Sequence, residues 1–167
     1  MSEIRTVVDH VIISYSGLFS LSELYRTSRE WFGNKGYVYW EVQNTENVLE
    51  SGKEIYICME PFSKITDYAK LVIRVQINAM ELTDVVVKVD ETRKRMNKGK
   101  LKIVLDGYLV TDYEGHWEKS PMSVFMRTIY DKFIFKTRTS EYESRIEEDV
   151  ENLRGTLKSF LNLLKYQ

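Results

Sequence analysis

Up to about Gly115 the apolar positions of the chain alternate with polar ones, and beyond it they recur every three or four residues. The alternation is clearest in DYAKLVIRVQINA. There Ala69, Leu71, Ile73, Val75 and Ile77 point one way, and Tyr68, Lys70, Val72, Arg74, Gln76 and Asn78 point the other. One apolar face and one wet face is the pattern of an antiparallel strand lying on a core. Similar runs predict a first strand over 4–16, a second over 37–43, a third over 53–60, a short fifth over 84–90 and a sixth over 100–113. In the sixth, Leu101, Ile103, Leu105 and Leu109 face inward. NTENVLESG reads as a turn-rich loop before the third strand, and ETRKRMNKG as a polar hairpin before the sixth.

Helix signals interrupt and then replace this alternation. Ser20 and Glu23 have the spacing of a capping box, and Phe19 and Leu24 that of a hydrophobic staple. The helix they start carries Leu21, Leu24, Tyr25, Ser28 and Phe32 at helical intervals and ends near Gly33 or Gly36. Past Gly115, Ser120 and Pro121 suit a cap and first turn. Met122, Phe125, Met126, Ile129, Tyr130 and Phe133 then form one stripe. KTRTS reads as a break before a last helix from Glu141. Along that helix Ile146, Val150, Leu153, Leu157, Phe160 and Leu164 follow intervals of four, three, four, three and four. Its acidic start and its Lys158 and Lys165 near the end complement the helix dipole.

Strand, helix, five strands and two helices predict an α+β fold. An antiparallel sheet of about six strands would carry one helix after the first strand and two C-terminal helices on one face. This element order is similar to that of helix-grip proteins of the START and pollen-allergen type, where a curved sheet wraps a long C-terminal helix. The resemblance covers most of the chain. It departs after the first strand, where those proteins have two short helices and this chain has one longer one. The strings YSGLFSLSELY, MNKGKL and DYEGHW are also similar to uncharacterised archaeal proteins, a likeness that implies no activity.

Composition narrows the picture without changing it. With 43% apolar residues, 29% charged and two prolines, the chain has a globular rather than a disordered makeup. Its 167 residues suit a single domain over 1–167, strand-rich over 1–115 and helical over 116–167. Twenty-four Lys plus Arg against twenty-five Asp plus Glu leave a net charge of −1, so the global charge favours neither nucleic acid nor anionic membrane. A lone cysteine, Cys58, rules out an intrachain disulfide and a multi-thiolate metal site. MSEIRTVVDH opens with mixed polarity and no long apolar stretch, and no run reaches the roughly 18 apolar residues of a spanning helix. A cytoplasmic protein without a transmembrane segment is expected.

Candidate chemistry is sparse. His10 and His116 are the only histidines. Asp9 adjoins His10, but neighbouring strand residues point to opposite faces, so no metal site is expected. Cys58 in ICME reads as a small buried hydrophobe rather than a nucleophile. The chain has no Gly-rich phosphate cradle, no G-x-S-x-G and no H-E-x-x-H. No catalytic residue and no cofactor are expected. An enzyme would require strand-borne groups such as Asp9, Tyr56 and Asp106 to converge in a cleft.

Three binding readings follow. HWEKSPMSVFMRTIYDKFIFK holds enough apolar side chains to cover a sheet and leaves a surplus, Val124, Ile134 and Phe135, off the core stripe. The first reading is therefore a non-enzymatic domain that binds a protein partner or itself through Val124, Ile134, Phe135, Phe160 and Leu164. The second, implied by the helix-grip order and the Tyr-rich strands, is a carrier of an apolar small molecule between the sheet and the last helix. The third is nucleic-acid or ribosome contact through Arg93, Lys94, Arg95, Lys98 and Lys100, with Lys102 beside them.

Overall fold

A computed structural model describes residues 2–113, 125, 128–129 and 136–165. The chain runs through β1 (Glu3–Phe19), α1 (Leu21–Asn34), β2 (Glu41–Leu49), β3 (Gly52–Met59), β4 (Phe62–Lys64), β5 (Ala69–Val89), β6 (Thr92–Thr111) and α2 (Lys136–Lys165). The six strands make one antiparallel sheet in the order β1-β6-β5-β3-β2. β4 pairs with β5 through Phe62 opposite Val72, continuing along β5 past the point where β3 leaves it at Met59 opposite Val75. Both described helices lie on the same face of this sheet, and their buried side chains join its core cluster. The architecture is thus α+β, as the alternating and helical periods imply.

The register sorts the two faces. Leu71, Ile73, Val75 and Ile77 of β5 lie opposite Leu109, Gly107, Leu105 and Ile103 of β6. All of these except the glycine are large, apolar and essentially sealed from water. Fully burying one such aliphatic side chain contributes about 1.5–3 kcal/mol. α2 covers this face, with Ile146, Val150, Leu153, Leu157 and Leu161 buried against β1, β6 and β5. Gly107 permits the close approach: a Cβ there would sit 2.4 Å from Ile146 Cγ2.

α1 begins where the capping box places it. Ser20 is the N-cap, and its Oγ accepts the Glu23 N–H at 3.3 Å. Phe19 and Leu24 on either side are fully buried. At the other end Trp31, Phe32 and Tyr37 pack edge to face, with Phe32 5.0 Å from Trp31 and 5.6 Å from Tyr37. Tyr37 then donates its hydroxyl proton to the buried carboxylate of Asp149 at 2.8 Å, and Trp31 Nε1 donates to Asn152 Oδ1 at 2.8 Å. These two bonds fasten the end of α1 to α2.

Several boundaries differ from the sequence expectation. The strands expected over 67–79 and 84–90 are one strand, β5, whose ladder shifts register between Met80 and Thr83. Glu81 takes a left-handed φ of 53° at that shift. The expected ETRKRMNKG hairpin reduces to the two-residue turn Asp90–Glu91, because Val89 already pairs with Thr92. The loop NTENVLESG is mostly β2, closed by a turn at Glu50–Ser51. In the last two cases polar side chains masked strand residues that the backbone ladder holds, since ladder bonds do not depend on side-chain polarity. The expected break KTRTS is also absent: Lys136–Ser140 are the first turns of α2. Phe125 and Ile129, assigned to a core-facing stripe, are 62% and 37% exposed. No helix among the described residues is long and apolar enough to cross a membrane.

Candidate functional site

The inner face is filled under α2, but not under the start of α1. β5 and β6 extend well beyond their α2-covered halves as a long hairpin, which meets only the first turn of α1, through Asn97 and Lys94. An open cavity of about 650 Å³ lies there. Its apolar lining comes from Ile55 and Ile57 of β3, Val85 and Val86 of β5, Met96 of β6, and Leu21 of α1. Its polar lining comes from Ser20, Ser22, Tyr25, Asn44, Glu46, Asp84, Arg95 and Asn97.

Polar bridges fix the walls at this separation. Asn97 Oδ1 accepts the Leu21 N–H at 3.0 Å while its Nδ2 donates to Asp84 Oδ1 at 3.0 Å. Lys94 Nζ reaches Glu23 Oε1 at 2.7 Å. The far hairpin is thereby tied to the first turn of α1. Across the opening, Lys53 Nζ lies 3.2 Å from Asp84 Oδ2 and 3.8 Å from Glu46 Oε1. Tyr25 and Tyr39 touch hydroxyl to hydroxyl and both donate to Glu41 Oε2, at 2.7 and 3.0 Å. Burial pushes both phenols above their ordinary range, and the contact with Glu41 adds to the effect. At neutral pH both are therefore neutral donors, and Tyr25 is held against the cavity.

The opposite face carries a second polar group. β1 shifts register between Val8 and Val11, and His10 there has a left-handed φ of 51°. This irregularity defeats the rule that adjacent strand residues point apart. Asp9 and His10 turn to the same side, and the His10 Nδ1 meets Asp9 Oδ1. The His10 backbone N–H donates to Asp106 Oδ1 at 2.7 Å, and its Nδ1 lies 3.3 Å from the same oxygen. The Asp9 hydrogen bond, then the Asp106 charge, raise the imidazole pKa above its usual value. Nearby, Arg74 donates to Glu60 Oε1 at 2.6 Å and to the Tyr108 hydroxyl at 3.3 Å, with its guanidinium 5.2 Å from the centre of the Tyr108 ring. Cys58 is buried on this face, and burial pushes its thiol pKa up.

The residues singled out from sequence are dispersed. Asp9 and Asp106 do converge, with His10, but Tyr56 lies opposite Asn78 two strands further across the sheet. Of the basic residues, Arg93, Lys94 and Arg95 follow directly on the Asp90–Glu91 turn, and Lys98 and Lys100 lie further along the strand. They lie along β6, where alternation divides Arg93 and Arg95 from Lys94, Lys98 and Lys100. Lys94 pairs with Glu23, and Lys100 with Glu81 at 2.9 Å. Phe160 is partly buried and packs against the core. It borders a shallow groove between α1 and α2 in which Leu163 is 70% exposed. Val124, Ile134, Phe135 and the side chain of Leu164 lie outside the described residues. The cavity residues Asn97, Asp84 and Tyr25 carry no motif. What unites them is the length of the β5–β6 hairpin, which the sequence disguises as a basic loop.

No family model, curated protein or solved structure matches this chain.

Proposed function

We propose that the chain is a non-enzymatic carrier of the helix-grip type. It holds a small molecule with an apolar body and a hydrogen-bonding end in the cavity beneath the first turn of α1. The single observation that carries this reading is the cavity: about 650 Å³, lined by both apolar and polar side chains. Small-molecule sites span roughly 300–1,000 Å³ and join a mostly apolar lining to a few placed polar groups. The helix-grip comparison is supported by the strand order, which puts β1 and β2 at the two ends of the sheet, and by the long final helix lying across its inner face. In this chain the space under that final helix is taken up by Ile146, Val150, Leu153 and Leu157, so the binding volume is displaced toward α1. A ligand would release water from Ile55, Ile57 and Met96, and its polar end would meet Asn44, Arg95 or Asn97.

The test is native mass spectrometry of the purified full chain, combined with titration of anilinonaphthalene sulfonate as an apolar probe. Ile55→Trp should fill part of the cavity at a half-buried position and abolish both the co-purifying mass and the probe fluorescence while the circular dichroism stays native. Absence of both signals in the wild type, or equal signals in the folded variant, removes the carrier reading.

A second reading, association of the chain with itself, is favoured by Leu163, 70% exposed beside half-buried Phe160 at the end of α2. Light scattering over a wide concentration range decides it. A discrete dimer lost in Leu163→Glu supports it, and a monomer throughout sinks it.

A further inference from the structure

We infer that Asp9, His10 and Asp106 bind one divalent transition-metal ion on the face of the sheet opposite the cavity. One ligand atom from each residue lies within 4.8 Å of the other two. The His10 Nδ1 to Asp106 Oδ1 separation of 3.3 Å already matches that of two ligands on one ion, because metal–ligand bonds of about 2.0–2.2 Å put neighbouring donors about 3 Å apart.

Three features distinguish this trio from a chance surface contact. The first is the buried member. The Asp106 side chain is only 3% exposed, in the middle of a strand. A buried carboxylate is costly unless positive charge and hydrogen bonds compensate it. Its described compensation is the His10 N–H and the His10 imidazole. The cation opposite it in the ladder, Arg74, directs its guanidinium to Glu60 and Tyr108 instead. The second is the direction of the other two ligands. Asp9 and His10 are consecutive, and only the register shift in β1 lets both reach the Asp106 carboxylate. The third is access. The Asp9 and His10 side chains are 75% and 66% exposed, so an ion could enter and keep its remaining positions for water or an anionic ligand.

The donor set selects the ion class. One imidazole with two carboxylates suits zinc, cobalt, manganese or ferrous iron, whereas magnesium and calcium favour all-oxygen surroundings. Three protein ligands with the outer side open resemble a site that retains exchangeable positions rather than a closed structural one.

The experiment titrates the chelator-treated full chain with cobalt(II), read by its visible ligand-field absorption, and with zinc(II) by calorimetry. One equivalent per chain is expected, with cobalt absorption showing nitrogen–oxygen ligation. His10→Ala should abolish stoichiometric binding, and Asp9→Asn should weaken it at least about tenfold. Asp9 is exposed, so its variant tests ligation without threatening the fold. His116→Ala should bind as the wild type does. Failure of the folded wild type to bind an equivalent of either ion overturns the assignment. So does binding that survives both Asp9→Asn and His10→Ala, or that is lost in His116→Ala.

Discussion

Gly107 lies at the centre of the contact between β6 and α2, and replacing it with alanine tests how that contact is made. A Cβ at this position would be 2.4 Å from Ile146 Cγ2, 3.3 Å from Val8 Cβ and 3.4 Å from Val150 Cγ2. Non-bonded carbons prefer about 3.5–4.0 Å, so the first contact is too short by about 1 Å or more. Ile146 is fully buried and Val150 is 1% exposed, so neither has open space to move into. α2 must lift, or Ile146 must leave its rotamer. Overpacking of this kind costs about 1–3 kcal/mol. In an unobstructed strand the same change would instead stabilise by about 0.5–1 kcal/mol through the unfolded chain. The expected net cost is therefore about 1–2 kcal/mol, which in a chain of this size lowers Tm by a few degrees. Ile146→Ala alone should cost about 2–5 kcal/mol by leaving a cavity. In the double variant the new methyl occupies space that Ile146 vacates, so its cost should fall below the sum of the two single costs by about 1 kcal/mol or more. Urea unfolding followed by circular dichroism measures all three. If Gly107→Ala stabilises the protein, or if the double variant is additive within about 0.5 kcal/mol, the close approach of α2 is not what this glycine provides.

Two other expectations concern the links around α1. Tyr37→Phe removes a buried donor from Asp149 and should destabilise by about 1–3 kcal/mol in the same urea assay, because the carboxylate stays buried without it; a loss under about 0.5 kcal/mol would show that Lys35 at 3.4 Å and Arg145 at 3.9 Å suffice without it. Burial and Asp149 raise the Tyr37 pKa above the ordinary 10.0, so the folded hydroxyl keeps its proton where the unfolded one ionises. That stabilisation is complete below about pH 10 and is lost as pH rises through the raised pKa; tyrosinate absorbance should show wild-type Tyr37 ionising only with alkaline unfolding, and free ionisation in the folded state would refute this. Ser20→Ala removes the cap of α1 and should cost about 0.5–2 kcal/mol in chemical denaturation; no change would mean that the Asn97 bond to Leu21 holds the first turn by itself.

What the sequence disclosed and what it hid divide along one physical line. Side-chain periodicity reports which face of an element is apolar, and it does so faithfully where burial is one-sided. DYAKLVIRVQINA showed its inward set, each member of which proved buried. The Ser20–Glu23 spacing located a helix start because capping is a local interaction between residues three apart. Periodicity does not report backbone pairing. β2 is exposed at all nine positions, and the far halves of β5 and β6 are mostly exposed or half-buried, yet their ladders continue. The cavity depends on that continuation, so the same polar residues that read as loops are the reason it was hidden.

The second polar group was hidden by a different local event. Its three residues were all visible in the sequence, but in a regular strand Asp9 and His10 would point to opposite faces. One register shift between Val8 and Val11 reversed it. Non-glycine residues adopt left-handed φ rarely, and histidine does so more readily than bulky or branched residues. Nothing in VVDHVII marks the position, since no glycine or asparagine stands there to signal a bulge. The shift is instead held from a distance, by the bond from the His10 N–H to a carboxylate 96 residues away. Asp106→Ala should therefore act on β1 as much as on β6. Removing that acceptor frees the bulge to slide, and hydrogen exchange is expected to become faster at Val8–Val11 before it changes at Leu101–Leu105. Equal protection at both stretches in the variant would show that the bulge is set by the strand itself and that Asp106 merely receives it.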